Sequence, residues 1–117
     1  RYGKQRSDER FFLVAESAAG RSGSEFLGFI IGEIRAWEFG SSPCGWVFAI
    51  DVDPQARQQG VGTLLLSAMR QRFERVGVRT LRTMLASDNH LILSFFRSQG
   101  LRAGRLIPLE LEVGAPS

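Results

Sequence analysis

The residues best suited to chemistry in this chain are Arg57-Gln58-Gln59-Gly60-Val61-Gly62, set between the apolar run that closes at "IDVDP" and the apolar segment "TLLLSAMRQRF". Gly60 and Gly62 let the backbone come close to something. The first N–H groups of the helix expected after them have no partners inside it, and that end carries partial positive charge. The thing approached is therefore an anion. Two phosphate-binding loops do not fit. A P-loop needs Lys and then Ser or Thr after its last glycine, whereas Gly62 is followed by Thr63 and Leu64. A dinucleotide fingerprint needs a third glycine where Leu65 stands. The plain alternative is a strand-to-helix turn whose glycines serve only chain geometry.

Other reactive side chains are few. Cys44 is the only cysteine, so no internal disulfide forms, and it reads as a spectator thiol in a reducing cytoplasm. His90 is the only histidine and reads as a surface residue in a first helical turn. One His and one Cys offer no metal-ligand set. The carboxylates that could act as bases are Glu33 within "FIIGEIRAW", Asp51, and Glu38. The fifteen basic residues are spread among twelve acidic ones, giving a net charge of +3. That describes a solvated surface, mildly favourable to an anionic ligand, and not a nucleic-acid-binding block. No apolar run reaches the roughly 20 residues of a membrane helix, and "RYGKQRSDERFF" holds no apolar signal core.

The elements that must position these residues follow from periodicity. Residues 11–16 read as a strand, and "SAAGRSGS" as a turn. Residues 25–37 form a longer strand in which Gly28 and Gly32 mark bends or close packing. Residues 46–52, almost continuously apolar, read as a strand buried on both faces. Simple alternation puts Trp46, Phe48, Ile50 and Val52 on one side of it and Asp51 on the other. Leu65, Ala68, Met69, Phe73 and Val76 have helical spacing, with Gly77 as the stop. A strand over 78–86 follows, then a short helix capped by Ser87 or Asp88 and ended by Gly100. One or two strands in "LRAGRLIPLELEV" close the chain, Pro108 marking an edge or bulge. The expected fold is α/β: a mixed, mainly antiparallel sheet in the order β-β-β-α-β-α-β-β with helices packed on it. It forms a single domain over residues 1–117.

With its preceding apolar strand and Pro54, the Arg57–Gly62 stretch resembles the acetyl-CoA-binding motif of the GNAT (Gcn5-related N-acetyltransferase) superfamily, which reads Arg or Gln, two residues, Gly, one residue, Gly or Ala. The "IDVDP" strand end, then Asn89, Phe96 and Gly100-Leu101, fall at the spacing of further family features. The resemblance covers residues 11–113 and implies an N-acetyltransferase moving an acetyl group from acetyl-CoA to a primary amine by direct attack. It implies that backbone amides of Gln58, Gln59, Gly60, Val61, Gly62 and Thr63 bind the pyrophosphate of coenzyme A, with Arg57 either touching phosphate or bracing the loop. The pantetheine arm would pair with Ile50 and Val52 as an added strand, with Asn89 reaching it from the other side. The backbone N–H of Val52 would serve as oxyanion donor.

The chain departs from the family where chemistry matters. Phe96 stands where many members carry a Tyr that protonates the leaving thiolate, and Tyr2 is the only tyrosine. The base is open among Glu33, Asp51 and Glu38, with Glu33 ranked first. The resemblance implies a small-molecule or peptide amine as acceptor, and the carboxylates Asp51, Glu33 and Glu38 would favour a cationic one such as a polyamine, an aminoglycoside-like amine or a peptide N-terminus. An inactive CoA-binding sensor or regulatory module is the alternative. The family's first strand and first helices have no counterpart here, which implies a homodimer or a portion of a longer protein.

Overall fold

The computed structural model describes residues 9–20, 23–36, 40 and 42–114. Tyr2, Trp37, Glu38 and Phe39 lie outside them. Two compact units divide the chain, Arg1–Met84 and Leu85–Ser117.

In the first unit, β1 (Arg10–Gly20), β2 (Gly23–Arg35) and β3 (Cys44–Val52) form an antiparallel meander. After α1 (Val61–Arg75), β4 (Leu81–Thr83) joins β3 in parallel, giving one sheet in the order β1-β2-β3-β4. The expected α/β architecture is therefore present, with a mixed sheet and a strand–helix–strand crossover. α1 forms because Val61, Leu65, Leu66, Met69 and Phe73 recur on one helical face, and all five are buried. It stops where Gly77 takes φ of 84° and the amides of Val76 and Gly77 turn back to Phe73 and Glu74.

The sheet face under α1 carries Ala15, Ile30, Ile34 and Val47, all buried. It also carries glycines. A Cβ on Gly32 would lie 2.8 Å from Met69 Sδ, and one on Gly45 would overlap the Phe73 ring. Close packing, not a bend, is thus what Gly32 provides: the helix sits lower on the sheet than any side chain would permit.

Several boundaries differ from the sequence expectations. "SAAG" is part of β1, because Ser17 and Gly20 pair with Glu25 and Gly23 and a backbone ladder is indifferent to side-chain type. Only Cys44, Gly45, Trp46 and Val47 of β3 are buried, and Phe48 is 51% exposed. The strand is two-sided in its first half alone. β4 spans three residues instead of nine, since its ladder with β3 ends at Val47↔Thr83.

The second unit contains α2 (His90–Ser98). Its cap is Asn89, whose Oδ1 accepts from Ile92 N at 3.2 Å, and not Ser87 or Asp88, which form the preceding turn. Phe96 is buried, with its ring 5.3 Å from that of Phe95. Residues 101–114 form no strand, contrary to expectation, and Leu109, Leu111 and Val113 are exposed. The alternation "LELEV" supplies two faces for a strand, but a strand exists only where its backbone finds a ladder partner.

Gly45→Ala is expected to destabilise the protein by about 1–3 kcal/mol through overpacking against Phe73. Gly104→Ala, where an added Cβ meets nothing within 4 Å, should stay within about 0.5 kcal/mol of wild type. Denaturant melts of the two variants check this, and equal losses would refute the packing argument.

Candidate functional site

β3 and β4 part company at one point. Thr83 Oγ1 donates to the Val47 carbonyl at 2.9 Å, on the last rung of their ladder. β3 then runs on through Phe48–Val52, roughly 16 Å of strand, with no strand paired to that side among the described residues. Hydrogen-bonded and open rungs alternate in an antiparallel pair. Asp53 N donates to Leu27 O at 2.8 Å, so Asp53 occupies a bonded rung toward β2. Val52 and Ile50 consequently turn their N–H and C=O groups the other way, to the edge that β4 has left. The geometry of Arg57 agrees: its Nε donates to the Val52 carbonyl at 3.1 Å from that side. Arg57 therefore braces the loop against β3, one of the two roles open to it from sequence.

Beyond Val52 the chain makes a 3-10 helix, Pro54–Gln59, where only a loop was expected. Asp53 caps it by accepting from Gln55 N, and Pro54 presets its first turn. Gly60 then takes φ of 79°, ends the 3-10 helix and starts α1. A Cβ at Gly60 would meet nothing within 4 Å, so this glycine is required by its left-handed backbone and not by crowding. It also supplies no side-chain cap, and the first intrahelical bond is Leu64 N to Gly60 O at 3.0 Å. The N-terminal turn of α1, through Val61, Gly62 and Thr63, thus begins at a residue with no side-chain oxygen to cap its positive end. Arg57, Gln58, Gln59 and Thr63 are exposed around it, while Val61 is buried as the helix's first core residue.

The carboxylate candidates are rearranged by a bulge. Ile31 pairs with Ala49 but Gly32 pairs with Val47, so Phe48 is an extra residue on β3. The side-chain alternation inverts there. Trp46, Ala49 and Asp51 share the face away from α1, and Ile50 and Val52 point toward it. The expected single-face set of Trp46, Phe48, Ile50 and Val52 does not exist. Partners across a rung share a face, so Glu33, opposite Trp46, and Asp51, opposite Phe29, lie on the same side of the sheet. They are four residues apart along β2, or about 13 Å, too far to act on one proton. Glu33 is paired to Arg10, with Nε to Oε1 at 3.2 Å, an ion pair that sequence reading missed because Arg10 precedes the strand expected there. Asp51 is exposed on the open stretch of β3. Trp46 is buried, and its indole N–H has no partner among the described residues.

Asn89, His90 and Phe96 belong to the second unit. Asn89 is occupied as the α2 cap through its Oδ1, and His90 is an exposed first-turn residue. Among the described residues no three metal-ligating side chains cluster, and no helix is long and apolar enough to cross a membrane.

The profile of the acetyltransferase (GNAT) family matches residues 2–101. No curated protein matches the chain. Solved structures with a similar fold include an aminoglycoside acetyltransferase, meta-AAC0020, from an uncultured soil metagenomic sample. It is 19% identical, with a TM-score of 0.63 over 76% of this chain and 59% of that one. The chain thus spans less than two thirds of that relative's length. The aminoglycoside antibiotic 6'-N-acetyltransferase AAC(6')-Ih of Acinetobacter baumannii gives 19% identity and a TM-score of 0.73, over 90% of this chain and 71% of that one. AAC(6')-Iy, solved with a bisubstrate analogue that joins CoA to an acetylneamine, gives 24% identity and a TM-score of 0.75, over 91% and 71%. At these identities the likeness is one of fold.

Gly60→Ala should cost about 1–2 kcal/mol in stability, since it forces a Cβ into left-handed backbone. The loss should appear in melts although the site has room for the methyl group.

Proposed function

The chain belongs to the acetyltransferase (GNAT) family, and from that premise we propose that it binds acetyl-CoA and transfers its acetyl group to a primary amine, an activity of the EC 2.3.1 type. One observation carries the proposal. A strand edge unpaired among the described residues, from Phe48 to Val52, leads through the 3-10 helix to the N-terminus of α1, where Gly60 makes no side-chain cap. Coenzyme A has a matching pair of needs: a polyamide arm that can hydrogen-bond as a strand, and a pyrophosphate that requires backbone amides.

In this reading the N–H and C=O of Ile50 pair with the pantetheine amides. The carbonyl of Val52 is held by Arg57, so Val52 contributes only its N–H, aimed at the oxygen of the thioester as negative charge develops there. Gln58, Gln59, Gly60, Val61, Gly62 and Thr63 surround the pyrophosphate, and Gly62 keeps the first turn of α1 free of a bulky side chain.

The amine attacks the thioester carbon, the C–S bond breaks as the tetrahedral intermediate collapses, and the proton shed by the nitrogen goes to a base. Two observations favour Asp51 over Glu33 as that base. Glu33 is tied to Arg10, whereas Asp51 is exposed on the open stretch, so Asp51 takes the role. Phe96 has no hydroxyl, and water protonates the leaving thiolate. A carboxylate base suits a cationic acceptor, and an aminoglycoside-type amine is favoured over polyamines and peptide N-termini by the named activities of the fold relatives. A cytoplasmic location, where Cys44 stays a thiol, fits this role.

A second reading is favoured by Phe96 and by the Arg10–Glu33 pair: a module that binds CoA and transfers nothing. Calorimetric titration with acetyl-CoA and CoA, followed by an amine panel, separates the two. Acetyl-CoA and CoA should both bind, and Gly62→Glu should abolish binding by placing a like charge in the phosphate path. Asp51→Asn should lower turnover by about 10²-fold or more with CoA affinity retained. Unchanged turnover in that variant removes Asp51 as base. Intact CoA binding with no turnover on any amine supports the module instead.

A further inference from the structure

We propose that Glu16 selects the acceptor, by taking a second cationic group of an amine whose first nitrogen reacts beside Asp51. This role rests on the reading of Asp51 as the base. It makes the preferred acceptor an elongated molecule with two amino groups, one at each end.

β1 and β2 outrun β3. The last rung of β3 on β2 is Gly28↔Val52, followed by one bond from Asp53 N to Leu27 O. Beyond it Glu16 pairs with Phe26 and Ser17 with Glu25, in a ribbon of two strands. The ribbon leaves the sheet at the end where Asp51 stands.

Register decides which side chains share a face there. Ala15 is buried under α1, so Val14 and Glu16 point to the other side. The register shift between Ala15 and Glu16 comes from an extra residue on β2, Leu27, and leaves β1 in phase. Phe26, across from Glu16, and Phe29, across from both Val14 and Asp51, lie on that side as well. The rings agree, with the centroids of Phe26 and Phe29 6.5 Å apart. A bonded rung separates Asp51 from Phe29 and an open rung separates Phe29 from Val14, with two residues of strand on to Glu16. These steps set Asp51 and Glu16 about 12 Å apart.

Both carboxylates are exposed, and among the described residues neither has an ion-pair partner. The arginines on this face of β1 and β2, Arg10 and Arg35, stand toward its other end, one on Glu33 and one over the Phe48 ring. Between Asp51 and Glu16 the surface is aromatic, and Phe26 is 53% exposed. Such rings attract a cation through their faces, and the hydrocarbon joining two amino groups loses water against them. A short amine therefore gains from Asp51 alone, whereas one that crosses Phe29 and Phe26 gains from Glu16 too. Glu25 is an internal control: it is exposed on the same ribbon but faces the opposite side, across from Ser17.

Calorimetric titration of diaminooctane and of octylamine into the protein, with no thioester present, tests Glu16 apart from catalysis. Diaminooctane should bind about fivefold more tightly. Glu16→Gln should erase that difference and leave octylamine binding as it was, and Glu25→Gln should change neither. In acetyl transfer, Glu16→Gln should raise KM for diaminooctane about fivefold with kcat unchanged. KM for acetyl-CoA, and for diaminopropane, which is too short to reach Glu16, should stay the same. Equal affinity for the two octyl amines, or an equal loss in Glu25→Gln, overturns the role of Glu16 and leaves the acetyltransferase reading intact. A diamine preference that depends on Glu16, in a protein that binds no CoA, upholds Glu16 and counts against that reading.

Discussion

The ring of Phe73 lies where a Cβ of Gly45 would be and touches the space above Gly32, and the rest of the first unit depends on that contact. It sets how closely α1 approaches the sheet. Because α1 is a rigid rod, anchored also by Met69, Leu65 and Val61 along the same face, its depth at one end fixes where its N-terminus lies at the other. That terminus follows directly on the 3-10 helix after β3. The packing of an aromatic ring at the C-terminal end of the helix thus positions the backbone amides at its start, about 18 Å away at 1.5 Å per residue.

The fork between β3 and β4 is the second device. It is pinned at one end by the Thr83 hydroxyl on the Val47 carbonyl and at the other by the Arg57 guanidinium on the Val52 carbonyl. Between these two bonds the outward backbone of Ile50 and the N–H of Val52 have no strand opposite them among the described residues. Two side chains that each satisfy a carbonyl therefore delimit the length of edge on which a strand-like ligand can lie. The bulge at Phe48 adds a consequence of its own: it turns Asp51 to the face carrying Glu33 and Trp46, while keeping Ile50 and Val52 against α1. A strand without that extra residue would have put Asp51 on the face opposite Glu33.

Much of this was legible in the residues. The loop Arg57–Gly62, the helix after it, the three meander strands and their order all follow from periodicity and glycine placement, and the family profile covers the same stretch. The failures have a common cause. The end of β4 at Thr83, the inverted parity at Phe48 and the Arg10–Glu33 pair each depend on what lies across a rung or a turn. The unpaired segment after Gly100 is the same case: its alternation is a strand's, but pairing decides whether a strand forms.

The sequence by itself determined the three meander strands, the two α-helices and the place of the Gly60 turn. Helical spacing and glycine's tolerance of positive φ are local properties. The tertiary structure alone decided which backbone groups of β3 face the open edge, which carboxylate is already neutralised and which face Asp51 occupies. Those depend on register, and register is set by strands that are distant in sequence, where a single inserted residue exchanges the two sides of a sheet.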